Sequence, residues 1–161
     1  RSSDLRDFDL ADALHDILNT LRPLLKHRPV QLHTALQAGL RMDSYPGPLT
    51  QVLMNLVNNA VVHAFDQREH LREVRITAEA LPDRRVRLTV ADNGCGMSAA
   101  VRERIFEPFF STKPAGTGLG MAIARRIIER HKGSIDIESE EGLGTTVTLI
   151  LPQASTSPGK P

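Results

Sequence analysis

Apolar positions recur at helical spacing near the start of this chain and give way to strand-like alternation further on. Leu10, Ala13, Leu14, Ile17, Leu18, Leu21, Leu24 and Leu25 fall on one face of a 3.6-residue period, which predicts a first helix. Asp9 stands where its carboxylate can accept from the free N–H groups of the first turn. Pro23, near the end, can kink the helix. Val30 to Leu36 alternates as a short strand does. A second helix is predicted from about Pro48 to Phe65, with Leu49, Val52, Leu53, Leu56, Val57, Ala60, Val61 and Ala64 as its core stripe. Val74 to Ala80 and Val86 to Ala91 read as strands joined by a turn at Pro82-Asp83. Ser98 caps a short helix, Ala99 to Ile105, and a glycine-rich segment opens another, Leu119 to His131, stopped by Gly133. Ser134 to Ser139 and Thr145 to Leu151 are two final strands. Helices interleaved with strands, and hairpins at the end, predict an α/β two-layer sandwich: a mixed, mainly antiparallel sheet covered on one face by helices.

At 161 residues the chain suits one domain with a real core. Residues 1–152 are assigned to that domain and 153–161 to a disordered tail, turn-rich and without an apolar side chain beyond Ala154. A net charge of +1 and the absence of Trp argue against a nucleic-acid partner. The single cysteine, Cys95, excludes an internal disulfide framework and fits a reducing compartment, so a cytoplasmic location is expected. There is no apolar run of membrane-spanning length. The first residues, Arg1-Ser-Ser-Asp, lack a Met, and a fragment of a longer protein is expected.

Four short segments carry the chemistry. Asn55 and Asn59 lie four apart on the second helix, so their amides project to one side. Asn is a poor helix former, and three of them within two turns call for a reason. They are either solvated amides or a source of an amide oxygen for Mg²⁺, a hard cation that takes oxygen ligands beside phosphates. His63 continues the row as a structural or a phosphate-side residue. Asp92 ends an apolar strand and is followed by Gly94 and Gly96. Its carboxylate can accept from the exocyclic amine of adenine while the glycines let a purine lie close. An ordinary Asp-Asn-Gly turn reads the same way in isolation. Phe106 to Lys113 groups three phenylalanines around a proline; Phe106 is expected to pack inward, and Lys113 is placed to meet phosphate. Gly116-Thr-Gly-Leu-Gly120 opens a helix whose N–H groups and dipole suit phosphate. It is not a P-loop, since no Gly-Lys-Ser/Thr ends it.

In this order, these segments resemble the N box, first glycine box, F box and second glycine box of sensor histidine kinase catalytic domains, and Gly142 to Pro152 resembles their closing glycine-threonine box. The resemblance runs from about Asp9 to Pro152. It implies the Bergerat ATP-binding fold, with ATP and Mg²⁺ as ligands. By the same resemblance Asn59 is the metal ligand and Asp92 the adenine acceptor. Gly94 and Gly96 shape the purine pocket. Gly116, Thr117, Gly118, Leu119 and Gly120 line the phosphates together with Lys113, Thr145 sits near the adenine, and a short lid lies between Phe106 and Gly116. Val62 departs from the pattern, standing where many relatives carry Lys or Arg, so His63 or Lys113 is expected to compensate.

Asn55 decides between phosphoryl chemistries. ATP-hydrolysing and serine-phosphorylating relatives usually carry a Glu base there, because water or a hydroxyl must lose a proton as it attacks. An imidazole already offers a lone pair, so an amide at this position points to a histidine acceptor. Asn55, His63 and Lys113 are accordingly the candidate catalytic residues. His15-Asp16-Ile-Leu-Asn-Thr20 superficially resembles an acceptor box, but the residues between His15 and Asn55 are used by the catalytic domain itself. The acceptor histidine is expected upstream, on the dimerisation domain of a homodimeric parent that could be anchored in the inner membrane and that signals to a response regulator. Two rivals stay open: a degenerate nucleotide-binding module, supported by Val62, and a gyrase-type ATPase, disfavoured by Asn55 and the F box.

Overall fold

The computed structural model describes residues 6–25, 30–44, 46–60, 72–110 and 120–153. The elements run β1 (Arg6–Asp9), α1 (Leu10–Leu25), β2 (Val30–Leu36), β3 (Arg41–Ser44), α2 (Pro46–Asn58), β4 (Arg72–Leu81), β5 (Arg85–Asp92), α3 (Ala99–Arg104), α4 (Gly120–Arg130), β6 (Ser134–Glu140) and β7 (Gly144–Pro152).

The first helix forms where its apolar period places it, and Asp9 caps it. Asp9 Oδ1 accepts from the amides of Ala11 at 2.8 Å and Asp12 at 3.3 Å. Its Oδ2 accepts from Gly39 at 3.0 Å, which ties the helix start to the turn before β3. Leu10, Leu14, Ile17, Leu18 and Leu21 are buried against α2 and the sheet. His15 lies on the opposite, exposed face.

Two strands escape the sequence pattern. β1 and β3 pair antiparallel, with Phe8 opposite Met42. Each has four residues, three of them charged in β1 and two in β3, too short for a period to show. The second helix begins at Pro46 rather than Pro48 and widens into a π turn at Asn59 and Ala60, so its regular α-helical part ends well before Phe65. Residues 61–65 of that expected helix lie outside the described residues.

The main sheet has the order β2-β4-β5-β7-β6. β2 and β4 are parallel and the other neighbours antiparallel, as a mixed sheet requires. Side chains two apart share a face. Val74, Ile76 and Ala78 of β4, Val86, Leu88 and Val90 of β5, and Leu149 and Leu151 of β7 therefore form one buried floor. With the apolar stripes of α1, α2 and α4 it makes a single core cluster. Each fully buried Leu or Ile contributes on the order of 1.5–3 kcal/mol. The opposite face carries polar and charged residues such as Arg75, Thr77, Glu79, Arg87 and Thr89, all exposed or half-buried.

The end of α4 falls where Gly133 was expected to stop it, and the chain closes there through its neighbour. Lys132, not Gly133, takes the left-handed conformation, with φ 62°. The amide of Gly133 donates to Ile128 O at 2.9 Å and that of Lys132 to Glu129 O at 3.0 Å, which satisfies the last carbonyls. Gly133 is required because a Cβ there would sit 2.3 Å from the Ile150 carbonyl oxygen. No helix among the described residues is long and apolar enough to cross a membrane.

Candidate functional site

The buried floor of the sheet changes character in its last row. Ile76, Val90, Val147 and Ile137 lie side by side across β4, β5, β7 and β6. Two residues further along, the next row on the same face reads Val74, Asp92, Thr145, Ser139, apolar on β4 and polar on the other three strands. Strand periodicity thus points three polar side chains towards the helical layer, where an apolar run would otherwise continue.

Asp92 is the group most changed by this position. Burial raises its carboxyl above the ordinary range, and amides donated by Gly94 and Thr145 pull it back in part. The Gly94 amide reaches Oδ1 at 2.9 Å. A carboxylate has about four lone-pair positions, so two backbone donors leave room for an amine. The Asp-Asn-Gly turn therefore does not exhaust the acceptor capacity of Asp92.

Two loops interlock beside it. Gly96 has φ 69°, and a Cβ there would lie 2.1 Å from Glu140 O. Gly144 has φ 133°, and its Cβ would lie 2.1 Å from Asp92 O. Gly142 N donates to Cys95 O at 2.7 Å, and Met97 N donates to Ser139 Oγ at 2.7 Å. Glycine is needed at Gly96 and Gly144 for close backbone approach. Cys95 is free and half-buried, and it holds the turn through its backbone.

The helical side of the site brings α2 against the start of α4. A Cβ on Gly120 would sit 2.9 Å from Asn55 Oδ1 and 3.0 Å from its Nδ2. The Asn55 Nδ2 is buried and has no hydrogen-bond partner among the described residues. One turn on, Asn59 Nδ2 donates to Met121 Sδ at 3.8 Å. The two amides do project to one side, onto successive residues of α4. Asn59's bond uses its nitrogen, which leaves the amide oxygen, the atom a hard cation takes. The contact of Asn55 with the last glycine of the second glycine box was not foreseen from sequence, because only the packing of α2 on α4 creates it.

Beyond α3 the chain is pinned by two cation–π contacts. The Arg104 guanidinium lies 4.5 Å from the Phe110 ring centroid and that of Arg125 lies 5.1 Å from Phe106. Phe106 is half-buried beneath Arg125 and is not part of the core cluster, contrary to expectation. Phe109 is 78 % exposed with φ 68°. A groove of about 140 Å³ lies between α2 and α4, lined by Gln51, Val52, Asn55, Gly120, Ile123, Ala124 and Ile127. It is smaller than the roughly 300 Å³ or more of an ordinary ligand pocket, and Asp92 does not line it. His63, Lys113, Gly116, Thr117, Gly118 and Leu119 lie outside the described residues, as do Val62 and residues 111–115 of the expected lid.

Comparison with known proteins gives one answer. A sequence profile described as histidine kinase-, DNA gyrase B-, and HSP90-like ATPase matches residues 45–155. Sensor histidine kinase ZraS of Klebsiella oxytoca is 45% identical over 119 residues, which cover 74% of this chain and 25% of ZraS. The chain thus spans about a quarter of that curated relative. The catalytic domain of histidine kinase ThkA (TM1359) has a TM-score of 0.82 and 30% identity, covering 93% of this chain and 96% of that one. ThkA has also been solved in complex with response regulator protein TrrA (TM1360). Full-length ShkA in complex with AMPPNP has a TM-score of 0.83 and 29% identity, covering 96% of this chain and 32% of ShkA. The match covers β4 to β7 and both helices that meet at Asn55, and so takes in the Asp92 row and the amide pair together. The chain belongs to the histidine kinase-, DNA gyrase B-, and HSP90-like ATPase family, as a catalytic domain of the sensor histidine kinase type.

Proposed function

We propose that this domain binds Mg-ATP and donates the γ-phosphoryl group to a histidine on a dimerisation domain of the same protein. The carrying observation is the half-buried Asp92 carboxylate in a polar row that ends an apolar sheet floor. Such a group is an acceptor with spare lone pairs in a partly desolvated setting, which suits the exocyclic amine of adenine. AMPPNP on ShkA supports a nucleotide of this type.

The residue roles follow. Asp92 fixes the base, while Gly94 and Gly96 admit it and Thr145 flanks it. Asn59, through its amide oxygen, holds the metal, which neutralises phosphate charge when bound. Gly116, Thr117, Gly118, Leu119 and Gly120 offer backbone donors to the phosphates, and Lys113 and His63 offer side chains. Asn55 supplies an amide N–H and no base. In the transfer, the bond from the γ-phosphorus to the bridging oxygen of ADP breaks. A P–N bond to the acceptor imidazole forms, and the ring proton leaves to solvent. Asn55 has only to position and stabilise. The parent is proposed to be a homodimer that passes the phosphoryl group to a response regulator, as the ThkA–TrrA complex supports by similarity. Its sensor part is proposed to be anchored in the inner membrane, with this domain in the cytoplasm.

His15 is an unsuitable acceptor. It lies on α1, whose other face is built into the core with α2, so no hairpin separates it from the catalytic domain. The test incubates this chain with γ-labelled ATP, alone and with the parent kinase's dimerisation domain added in trans. The expected result is an acid-labile phosphoramidate on the added domain and no label on this chain. Stoichiometric label lost on His15→Ala would overturn the acceptor assignment. Rapid phosphate release that depends on Asn55 would favour an ATPase instead.

A further inference from the structure

Ser139 ends the polar row, and its hydroxyl is fully committed. Ser139 Oγ accepts from Met97 N at 2.7 Å, donates to Gly144 O at 3.1 Å, and lies 2.8 Å from Thr145 Oγ1. A hydroxyl has one proton and two lone pairs. The Met97 amide takes one lone pair, and the Gly144 carbonyl takes the proton. The second lone pair is left for the Thr145 proton. Only this arrangement satisfies all three contacts. In it, Thr145 Oγ1 has lone pairs alone to offer.

Thr145 is the direct cross-strand partner of Asp92, on the same face of the sheet. We infer that Ser139 is a specificity-determining residue of the purine pocket, because by taking the Thr145 proton it turns Thr145 into a second pure acceptor beside Asp92. The inference rests on the nucleotide reading of the Asp92 row. Adenine presents an amine donor at the corner of the ring where guanine presents a carbonyl oxygen. A floor made only of acceptors pairs with the first and sets lone pairs against the second. Unpaired polar groups in a built site are what reject a near-isosteric ligand. Ser139 does not need to touch the base; it acts by fixing one proton on its neighbour.

The experiment measures ATP and GTP affinities of the whole chain, wild type and Ser139→Ala, with unfolding midpoints alongside. Ser139→Ala frees the Thr145 hydroxyl to turn and donate, so the ATP-to-GTP affinity ratio is expected to fall by about fivefold. Ser139→Thr keeps the hydroxyl and should return the ratio to within about twofold of wild type. A purely structural role would weaken both nucleotides in the same proportion, and an unchanged ratio overturns the inference. Thr145→Val gives a second arm that leaves the Met97 and Gly144 bonds of Ser139 in place. It too should lower the ratio, and if it does not, the inference falls even where Ser139→Ala fails to fold. Wild type that binds neither nucleotide, or both alike, would remove the nucleotide reading itself and this inference with it.

Discussion

Asp92→Ala is expected to weaken ATP binding by about tenfold or more, the equivalent of roughly 1–3 kcal/mol for a buried donor left without its acceptor. The carboxylate stands in a row of the sheet floor with Thr145 and Ser139 and already accepts from two backbone amides. Calorimetric titration of the variant checks the loss, and an unaltered ATP curve would remove Asp92 from the site. The same position carries a stability cost. Burial raises the folded-state carboxyl, so its contribution is fully present below the ordinary carboxylate range and is lost as pH rises through the folded value. At neutral pH the free protein therefore holds an unfavourably buried charge. Asp92→Asn removes that charge, so its stability relative to wild type should improve as pH rises from acid to neutral. Denaturant unfolding at a series of pH values reads the difference, and a gap that stays flat across that range would contradict the burial account.

Gly144→Ala is expected to cost about 3 kcal/mol or more and to abolish nucleotide binding with it. The new Cβ would meet Asp92 O at 2.1 Å, Asn93 Cα at 3.0 Å and Asp92 C at 3.0 Å. All are backbone atoms, so no flexible side chain can swing away. The end of β5 must move, and the Asp92–Thr145 pairing opens. Gly142→Ala is the matched control, with φ 85° and nothing among the described residues within 4 Å of its Cβ. It should cost only the left-handed backbone term, about 1–2 kcal/mol. Equal unfolding midpoints for the two variants would show that close packing of the two loops is not what Gly144 provides.

Much of this architecture is legible in the sequence because long apolar periods report buried faces. The stripe from Leu10 to Leu21 and the alternation in β4, β5 and β7 place the helical layer and the sheet floor directly. β1 and β3 were not legible, since four residues cannot display a period and most of their side chains are charged. In the site, the order of motifs pointed to Asn59 and Asp92, but the contacts that join them were invisible. Asn55 meets Gly120 across 65 positions, and Ser139 joins Met97 across 42. Register creates the row itself: once β5, β7 and β6 are aligned, Asp92, Thr145 and Ser139 must share it. The sequence signal available was parity, since Ser139 lies two residues beyond inward-facing Ile137, as Asp92 does beyond Val90. Gly133 shows the reverse case: its place as a helix stop was legible, whereas the contact with Ile150 that requires glycine there was not.

The central claim is that the Asp92 row and the Asn55–Asn59 pair form one Mg-ATP site. Calorimetry of this chain with ATP in Mg²⁺, ATP in EDTA and GTP in Mg²⁺, repeated on Asn59→Ala, tests it most directly. ATP should bind clearly tighter with Mg²⁺ than in EDTA, and GTP should bind far more weakly. Asn59→Ala should erase most of the Mg²⁺ gain while leaving the EDTA curve nearly in place, because the side chain acts through the metal. Superimposable ATP and GTP curves would contradict the adenine assignment. An Asn59→Ala loss of the same size with and without Mg²⁺ would make Asn59 a structural residue and break the site in two.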